Sequence, residues 1–359
     1  MSGKAWGLSL RLVAASRYTT GMSTLRGHPA GIESSRDDVR PGHETVAPSN
    51  PPLAPGSAGG HVPISPSAYS QSQPQSPIVN RQSSIDKPIT LRTIARWVQQ
   101  KDKFACLTAY DATTARWLAR AGVPVLLVGD TAAEMILGFP GTIHAPLDFL
   151  LTLTAAVKRG APNCFVIGDM PFLSYQCDDA EGVRNAGRFM TDGNADAVKL
   201  EVDRTFTILV EKMARAGIPV IAHIGARPQQ AKLHGGYGSA GRTAREAQGM
   251  VADAVAMEQA GAVMLLVEAC PNEVSQRIVA KTSIPLIGCG GGPACHGQIV
   301  VLQDLLGLTD WQPSFARPVT HLGEPLIAAA QQWIEKVRTG NLGEHPYRMV
   351  DAERETFGV

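Results

Sequence analysis

Apolar and polar positions along this chain fall into two regimes that meet near residue 88. From residue 89 onward, short β-rich apolar runs alternate with longer segments whose apolar residues recur every three or four positions. "ARAGVPVLLVGD" (119–130) and "ARAGIPVIAHIG" (214–225) are near copies of each other, and "EQAGAVMLLVEA" (258–269) and "AKTSIPLIGCGG" (280–291) follow the same plan. Each reads as the end of a helix, usually with a glycine suited to a left-handed cap, followed by an apolar strand. The preceding segments "DATTARWLARAG" (111–122), "DRTFTILVEKMARAG" (203–217) and "REAQGMVADAVAMEQAG" (245–261) have helical spacing. Strands are predicted at 103–109, 123–129, 163–169, 196–202, 219–225, 263–269, 284–290 and 298–303. Eight strands separated mostly by helical patterns imply an α/β fold with a parallel sheet. The number favours a closed (β/α)8 TIM barrel over an open doubly wound sheet. The barrel is predicted over 89–349, a length in keeping with such folds, with 350–359 as a C-terminal tail.

Residues 1–88 lack this rhythm. From Glu33 to Pro88 the chain is rich in Pro, Ser, Gly and Gln, as in "APSNPPLAPGSAGG" and "SPSAYSQSQPQSP". Too little apolar area is available there to offset the entropy of ordering, so the segment is expected to be a disordered extension. The first 32 residues contain Lys4, Arg11, Arg17 and Arg26 and no acid. They read as a tail or the product of an upstream start codon, which implies a cytoplasmic protein. The alternative is a transit peptide and a mitochondrial one.

Composition narrows the function. A formal net charge of +1 gives no reason to expect nucleic acid or an anionic membrane as partner. No run approaches the roughly 20 apolar residues needed to span a bilayer. The six cysteines form no CxxC pair, and most lie in apolar runs, as reduced buried thiols do.

The informative feature is what interrupts the apolar pattern. In "DAVKLEV" (196–202), Val198, Leu200 and Val202 point one way and Lys199 and Glu201 the other. The other strands end in polar residues too: Asp130 and Thr131, Asp169, His223 within "VIAHIG", and Glu268. In a barrel these C-terminal strand ends converge on one mouth, where such folds carry their chemistry. Each residue has a bland explanation. Asp130 or Asp169 alone reads as a helix N-cap, His223 as a hydrogen-bonded core residue, and Lys199 with Glu201 as a structural ion pair. A buried ion pair seldom stabilises relative to apolar residues, and an unpaired buried Glu268 tends to protonate. Packing alone explains their joint occurrence poorly, and a shared site is the simpler reading.

The residue types suggest its chemistry. Asp130, Asp169 and Glu201 are hard oxygen donors without a cysteine partner, which suits Mg²⁺ rather than structural zinc. A 2-oxo acid fills the open positions of such an ion, and Lys199 offsets its negative charge. Metal polarisation of the carbonyl stabilises an enolate. Glu268, its pKa raised by apolar surroundings, becomes a general base for a proton beside that carbonyl.

A series of short motifs runs in one order through this region: "TAYD" (108–111), "LLVGDT" (126–131), "KRGAPN" (158–163), "DMPFLSY" (169–175), "VKLE" (198–201), "AHIGARPQ" (222–229), "GGY" with "GR" (235–242), "LLVEACP" (265–271), "IPLIGCGGG" (284–292) and "GQIVVLQDLLGL" (297–308). In this the chain resembles the ketopantoate (3-methyl-2-oxobutanoate) hydroxymethyltransferases over about 89–315. The resemblance implies a barrel of the phosphoenolpyruvate/pyruvate type. It implies transfer of the one-carbon unit of 5,10-methylenetetrahydrofolate to 3-methyl-2-oxobutanoate, giving 2-dehydropantoate for pantothenate and coenzyme A synthesis. It implies Mg²⁺ on Asp130, Asp169 and Glu201, oxo-acid contacts from Asp130, Thr131, Asp169 and Lys199, a pocket-lining His223, Glu268 as proton acceptor, and a homodecamer built as five dimers.

The chain departs from the family pattern in places. Thr131 stands where Ser is usual, 132–146 differs from the usual glycine-containing stretch, Gly238 replaces a Lys, and His296 stands where Asp is common. These loops are expected near the folate and substrate entrance. The nearest competing function is another Mg²⁺-dependent carbon–carbon lyase of the same superfamily; such lyases usually carry a "KKCGH"-like loop, which is absent here. A non-enzymatic scaffold is a further alternative, but no site acid is missing.

Overall fold

The computed structural model describes residues 85–358. Elements follow in the order α1 (Leu91–Gln100), β1 (Phe104–Thr108), α2 (Ala112–Arg120), β2 (Val125–Val128), α3 (Ala132–Met135), α4 (Leu147–Gly160), β3 (Phe165–Asp169), α5 (Asp179–Thr191), β4 (Ala197–Glu201), α6 (Thr207–Arg215), β5 (Val220–Gly225), α7 (Ala231–His234), α8 (Ala244–Gln259), β6 (Met264–Glu268), α9 (Asn272–Val279), β7 (Leu286–Cys289), β8 (Gly297–Val300), α10 (Leu302–Leu305), α11 (Gly323–Thr339) and α12 (Asp351–Phe357). The eight strands pair in parallel in sequence order, and β1 pairs with β8 to close the barrel. All eight predicted strands form. The disorder expected before residue 85 lies outside the described residues; from Ile85 the chain is held to the barrel, its carbonyl accepting from Asn163 Nδ2 at 2.6 Å.

Local chemistry starts the helices. Asp111 caps α2, its carboxylate accepting from the Thr113 and Thr114 N–H groups at 2.8 Å. Thr243 and Glu246 form a capping box at the start of α8. Strand alternation then sorts side chains between two layers. Phe104, Cys106, Val125, Leu127, Phe165, Ile167, Ala197, Ile221, Met264, Leu266 and Ile287 fill the barrel interior, and Ile94 of α1 closes its base. The alternate positions, among them Val166, Leu200, Val220 and Leu265, pack against the surrounding helices. At Gly168 on β3 a Cβ would sit 2.3 Å from the Phe189 ring of α5, so only glycine lets that helix approach.

This phase sets the direction of the polar residues. Asp169 continues the inward series of Phe165 and Ile167, Lys199 and Glu201 that of Ala197, His223 that of Ile221, and Glu268 that of Leu266. The two charges of "DAVKLEV" thus point into the barrel at its C-terminal end.

Two features depart from a regular barrel. The β7–β8 crossover has no helix; residues 290–296 alone bring the chain from the mouth back to the base. His296 accepts from the Leu286 N–H at 3.0 Å through Nδ1 and from the Phe104 N–H through its carbonyl. It therefore lies at the base, which corrects the expectation that 293–296 borders the entrance. The second feature is α11, which buries no residue although Leu326, Ile327, Trp333, Ile334 and Val337 are all more than half exposed.

Candidate active site

Asp130, Asp169, Lys199, Glu201 and His223 are all at most 4% exposed, and Glu268 lies at the lip with 23% of its side chain open. Lys199 Nζ donates to Asp169 Oδ2 at 2.8 Å and stands 2.8 Å from Oδ1. Asp169 Oδ2 also accepts from the Asp130 N–H at 3.0 Å. On the next strand pair, His223 Nδ1 is 3.9 Å from Glu201 Oε1, and its Nε2 is 3.4 Å from Glu268 Oε2. Thr131 Oγ1 shares a 2.7 Å hydrogen bond with the Tyr110 hydroxyl. Every residue predicted for the site is therefore at one mouth.

The bland readings do not hold. Thr131, not Asp130, is the N-cap of α3 and makes no side-chain cap bond; Asp169 precedes no helix until α5, which Asp178 caps. Lys199 pairs with Asp169 rather than Glu201. His223 is not held as an ordinary core histidine, since neither ring nitrogen has a partner in good hydrogen-bond geometry among the described residues.

Sequence reasoning passed over a group that holds the acids in place. Gln229 is buried, and its Nε2 donates to Asp130 Oδ2 at 2.9 Å and to the Met170 carbonyl at 3.0 Å. Its backbone N–H donates to Glu201 Oε2 at 3.1 Å. Tyr175 supports it from behind, its hydroxyl accepting from the Glu201 N–H at 3.0 Å and lying 3.2 Å from Gln229 Oε1. Gln229, Tyr175 and Tyr110 all occur in the ordered motifs, but a glutamine after "ARP" reads as an ordinary loop residue until its loop folds into the mouth.

The charges are unbalanced, with four carboxylates facing one lysine. Burial pushes Asp169 up to about 7, Asp130 adding to the rise and Lys199 opposing it. Burial raises Glu201 well above the usual carboxylate range and brings Glu268 up to about 7. Burial acts to lower Lys199, but Asp169, Asp130 and Glu201 outweigh it and keep the ammonium charged. Burial, reinforced by Lys199 and Arg227, holds His223 well below its usual value, so its ring is neutral.

Among the described residues, no three His, Cys, Asp or Glu side chains close around an ion by themselves. The donor set nonetheless fits a hard divalent cation. Glu201 Oε1 is a buried oxygen with no hydrogen-bond partner, Asp169 Oδ1 has only the Lys199 ammonium beside it at 2.8 Å, and four carboxyl groups share a single lysine. Mg²⁺ commonly takes only one or two carboxylates from protein and completes its shell with substrate and water.

The family model for ketopantoate hydroxymethyltransferase matches residues 88–345. The chain belongs to the ketopantoate hydroxymethyltransferase family. It is an enzyme of that family, as the ordered motifs implied. Among its relatives is the 3-methyl-2-oxobutanoate hydroxymethyltransferase of Hyperthermus butylicus, 41% identical over 260 residues that cover 72% of this chain and 90% of the relative. The enzymes of that name from Thermotoga maritima and Pyrobaculum aerophilum are 40% and 39% identical, over 71% and 69% of this chain and 94% and 95% of theirs. Similar solved structures include a phosphonopyruvate hydrolase in complex with oxalate and Mg²⁺ (TM-score 0.49, 15% identity, 75% of this chain and 95% of that one) and a 2,3-dimethylmalate lyase (TM-score 0.47, 18% identity, 76% and 96%). Within the family frame, the divergent stretch 132–146 and the loop bearing Gly238 do face each other above the mouth, where the Tyr237 hydroxyl donates to Glu134 Oε1 at 3.2 Å.

Proposed function

We propose that this ketopantoate hydroxymethyltransferase transfers the one-carbon unit of 5,10-methylenetetrahydrofolate to C3 of 3-methyl-2-oxobutanoate, forming 2-dehydropantoate with Mg²⁺ as cofactor. The observation that carries the reading is Glu268, a carboxylate with its pKa near neutrality, open to the mouth and facing an acid–lysine cluster.

Asp130, Asp169 and Glu201 would hold the cation, which when bound supplies Lewis-acid polarisation of the substrate carbonyl. The Lys199 ammonium attracts the oxo-acid carboxylate and offsets the charge that develops beside it. Asp130, Thr131 and Asp169 border the same space, Thr131 offering a hydroxyl oriented by Tyr110. Glu268 takes the proton from C3, and the electron pair left there forms the new bond to the methylene carbon of the folate. The carbon–nitrogen bonds to the folate break, and water supplies the hydroxyl oxygen of the product. Neutral His223 adjoins Glu268 without competing for its proton.

The same reading includes assembly into a homodecamer and residence in the cytoplasm. Association is supported by the exposed apolar side of α11, whose residues 326, 327, 333, 334 and 337 recur at helical spacing. A reducing compartment is supported by the free cysteines of the described residues.

The test is turnover of 3-methyl-2-oxobutanoate with methylenetetrahydrofolate, before and after chelation. Product formation that stops on chelation and returns with Mg²⁺ is expected. Unchanged turnover after chelation refutes the metal assignment, and absence of product refutes the reaction.

A further inference from the structure

Two of the three proposed ligand carboxylates, Glu201 and Asp130, have one oxygen committed to a protein donor and the other without a hydrogen bond among the described residues. The third, Asp169, is held on both sides: Oδ2 receives the Asp130 N–H and the Lys199 ammonium, which also stands 2.8 Å from Oδ1. Glu201 Oε2 receives the Gln229 N–H, leaving Oε1. Asp130 Oδ2 receives the Gln229 side-chain amide, leaving Oδ1. One residue thus orients two of the three acids, through its backbone on one and its side chain on the other.

The amide has little freedom to turn. Its oxygen accepts from Gln176 Nε2 at 2.9 Å and lies 3.2 Å from the Tyr175 hydroxyl, while its nitrogen also donates to the Met170 carbonyl at 3.0 Å. Rotating it by half a turn would set Oε1 against the Met170 carbonyl and the Asp130 carboxylate, two acceptors, and Nε2 against the Gln176 amide donor. The geometry therefore presents an N–H to Asp130 in only one orientation. A neutral donor is suited to this task, because a lysine there would compete with a cation for the acids.

We infer that Gln229 is a positioning residue for the proposed Mg²⁺ site: it holds Asp130 and Glu201 so that one oxygen of each faces the mouth. This rests on the reading of those acids as metal ligands. Gln229 does not touch the reacting atoms; it acts through the carboxylates.

The experiment is calorimetric titration of the full chain with Mg²⁺ in the presence of 3-methyl-2-oxobutanoate, alongside metal-free thermal unfolding. The proteins compared are wild type, Gln229→Met, Gln229→Asn and Asp130→Asn. Met keeps the length and loses the amide, and Asn keeps an amide too short to reach. Both retain the backbone donor to Glu201, so any change reports on Asp130. Loss of a hydrogen bond to a charged group predicts Mg²⁺ binding weakened about tenfold or more. A role confined to packing would lower the melting temperature and leave Mg²⁺ affinity unchanged. If Asp130→Asn weakens binding while both Gln229 variants bind as wild type, the positioning role is wrong and the ligand reading stands. If Asp130→Asn also binds as wild type, the ligand reading fails and the inference with it.

Discussion

Glu268 Oε2 stands 3.4 Å from His223 Nε2, and among the described residues the imidazole between Glu268 and Glu201 has no partner in good hydrogen-bond geometry on either nitrogen. A cationic ring there would bind both carboxylates and silence Glu268 as a base. Burial together with Lys199 and Arg227 keeps it neutral instead. The arrangement leaves Glu268 free to change protonation near pH 7, at the part of the mouth open to substrate.

Catalysis should follow the ionisation of Glu268. Burial raises this group from 4.5 to about 7, and the base acts only when deprotonated. The rate of proton removal from C3 is therefore expected to climb with pH and level off above about 7, falling tenfold per unit well below it. A pH–rate profile of C3 exchange checks this, and a profile flat from pH 5 to 8 contradicts it.

Stability should follow the opposite course in metal-free protein. Asp169 and Glu268 have folded values near 7 against ordinary values of 3.8 and 4.5. Between these limits the folded chain retains protons that the unfolded chain has released, so stability falls as pH rises through this window. The melting temperature is expected to drop from pH 5 to pH 8, and Mg²⁺ should restore most of the loss at pH 8 and little at pH 5, by binding the folded state. Differential scanning calorimetry with and without the ion reads both effects.

Removing Lys199 should harm the fold as well as the chemistry. Its ammonium and the Asp169 carboxylate are both almost wholly buried and 2.8 Å apart. Lys199→Met leaves Asp169 unpaired, and breaking a buried pair in this way costs about 3–5 kcal/mol. Denaturant unfolding should show that loss. The double variant with Asp169→Asn should recover part of it and remain inactive.

The exposed side of α11 gives a prediction independent of the mouth. Trp333 and Ile334 are 60% and 63% exposed on a helix that buries nothing against its own barrel. Trp333→Glu with Ile334→Glu should shift the protein to smaller species in sedimentation or light scattering, without disturbing the barrel's circular dichroism. An unchanged assembly would remove α11 from the subunit contacts.

The parts of this molecule that were legible in the sequence are those governed by strand alternation. Asp169, Lys199, Glu201, His223 and Glu268 interrupt apolar runs in the inward phase, and a closed barrel carries that phase to one mouth. Gln229 escaped because its position depends on a loop folding inward, which no period encodes. His296 was misplaced because the β7–β8 crossover dispenses with a helix: the chain returns to the base within 290–296, before the register of β8 begins. The α11 pattern is that of a core helix, and nothing along a single chain shows that the apolar side has no partner within its own barrel.

Removal of the C3 proton by Glu268 is the step that deuterium exchange into 3-methyl-2-oxobutanoate, in the presence of Mg²⁺ and without folate, measures alone. Wild type should exchange C3. Glu268→Gln should fold and bind Mg²⁺ while exchange falls by about 10²–10⁴-fold, the usual contribution of a positioned base. Exchange at the wild-type rate in Glu268→Gln would contradict the account.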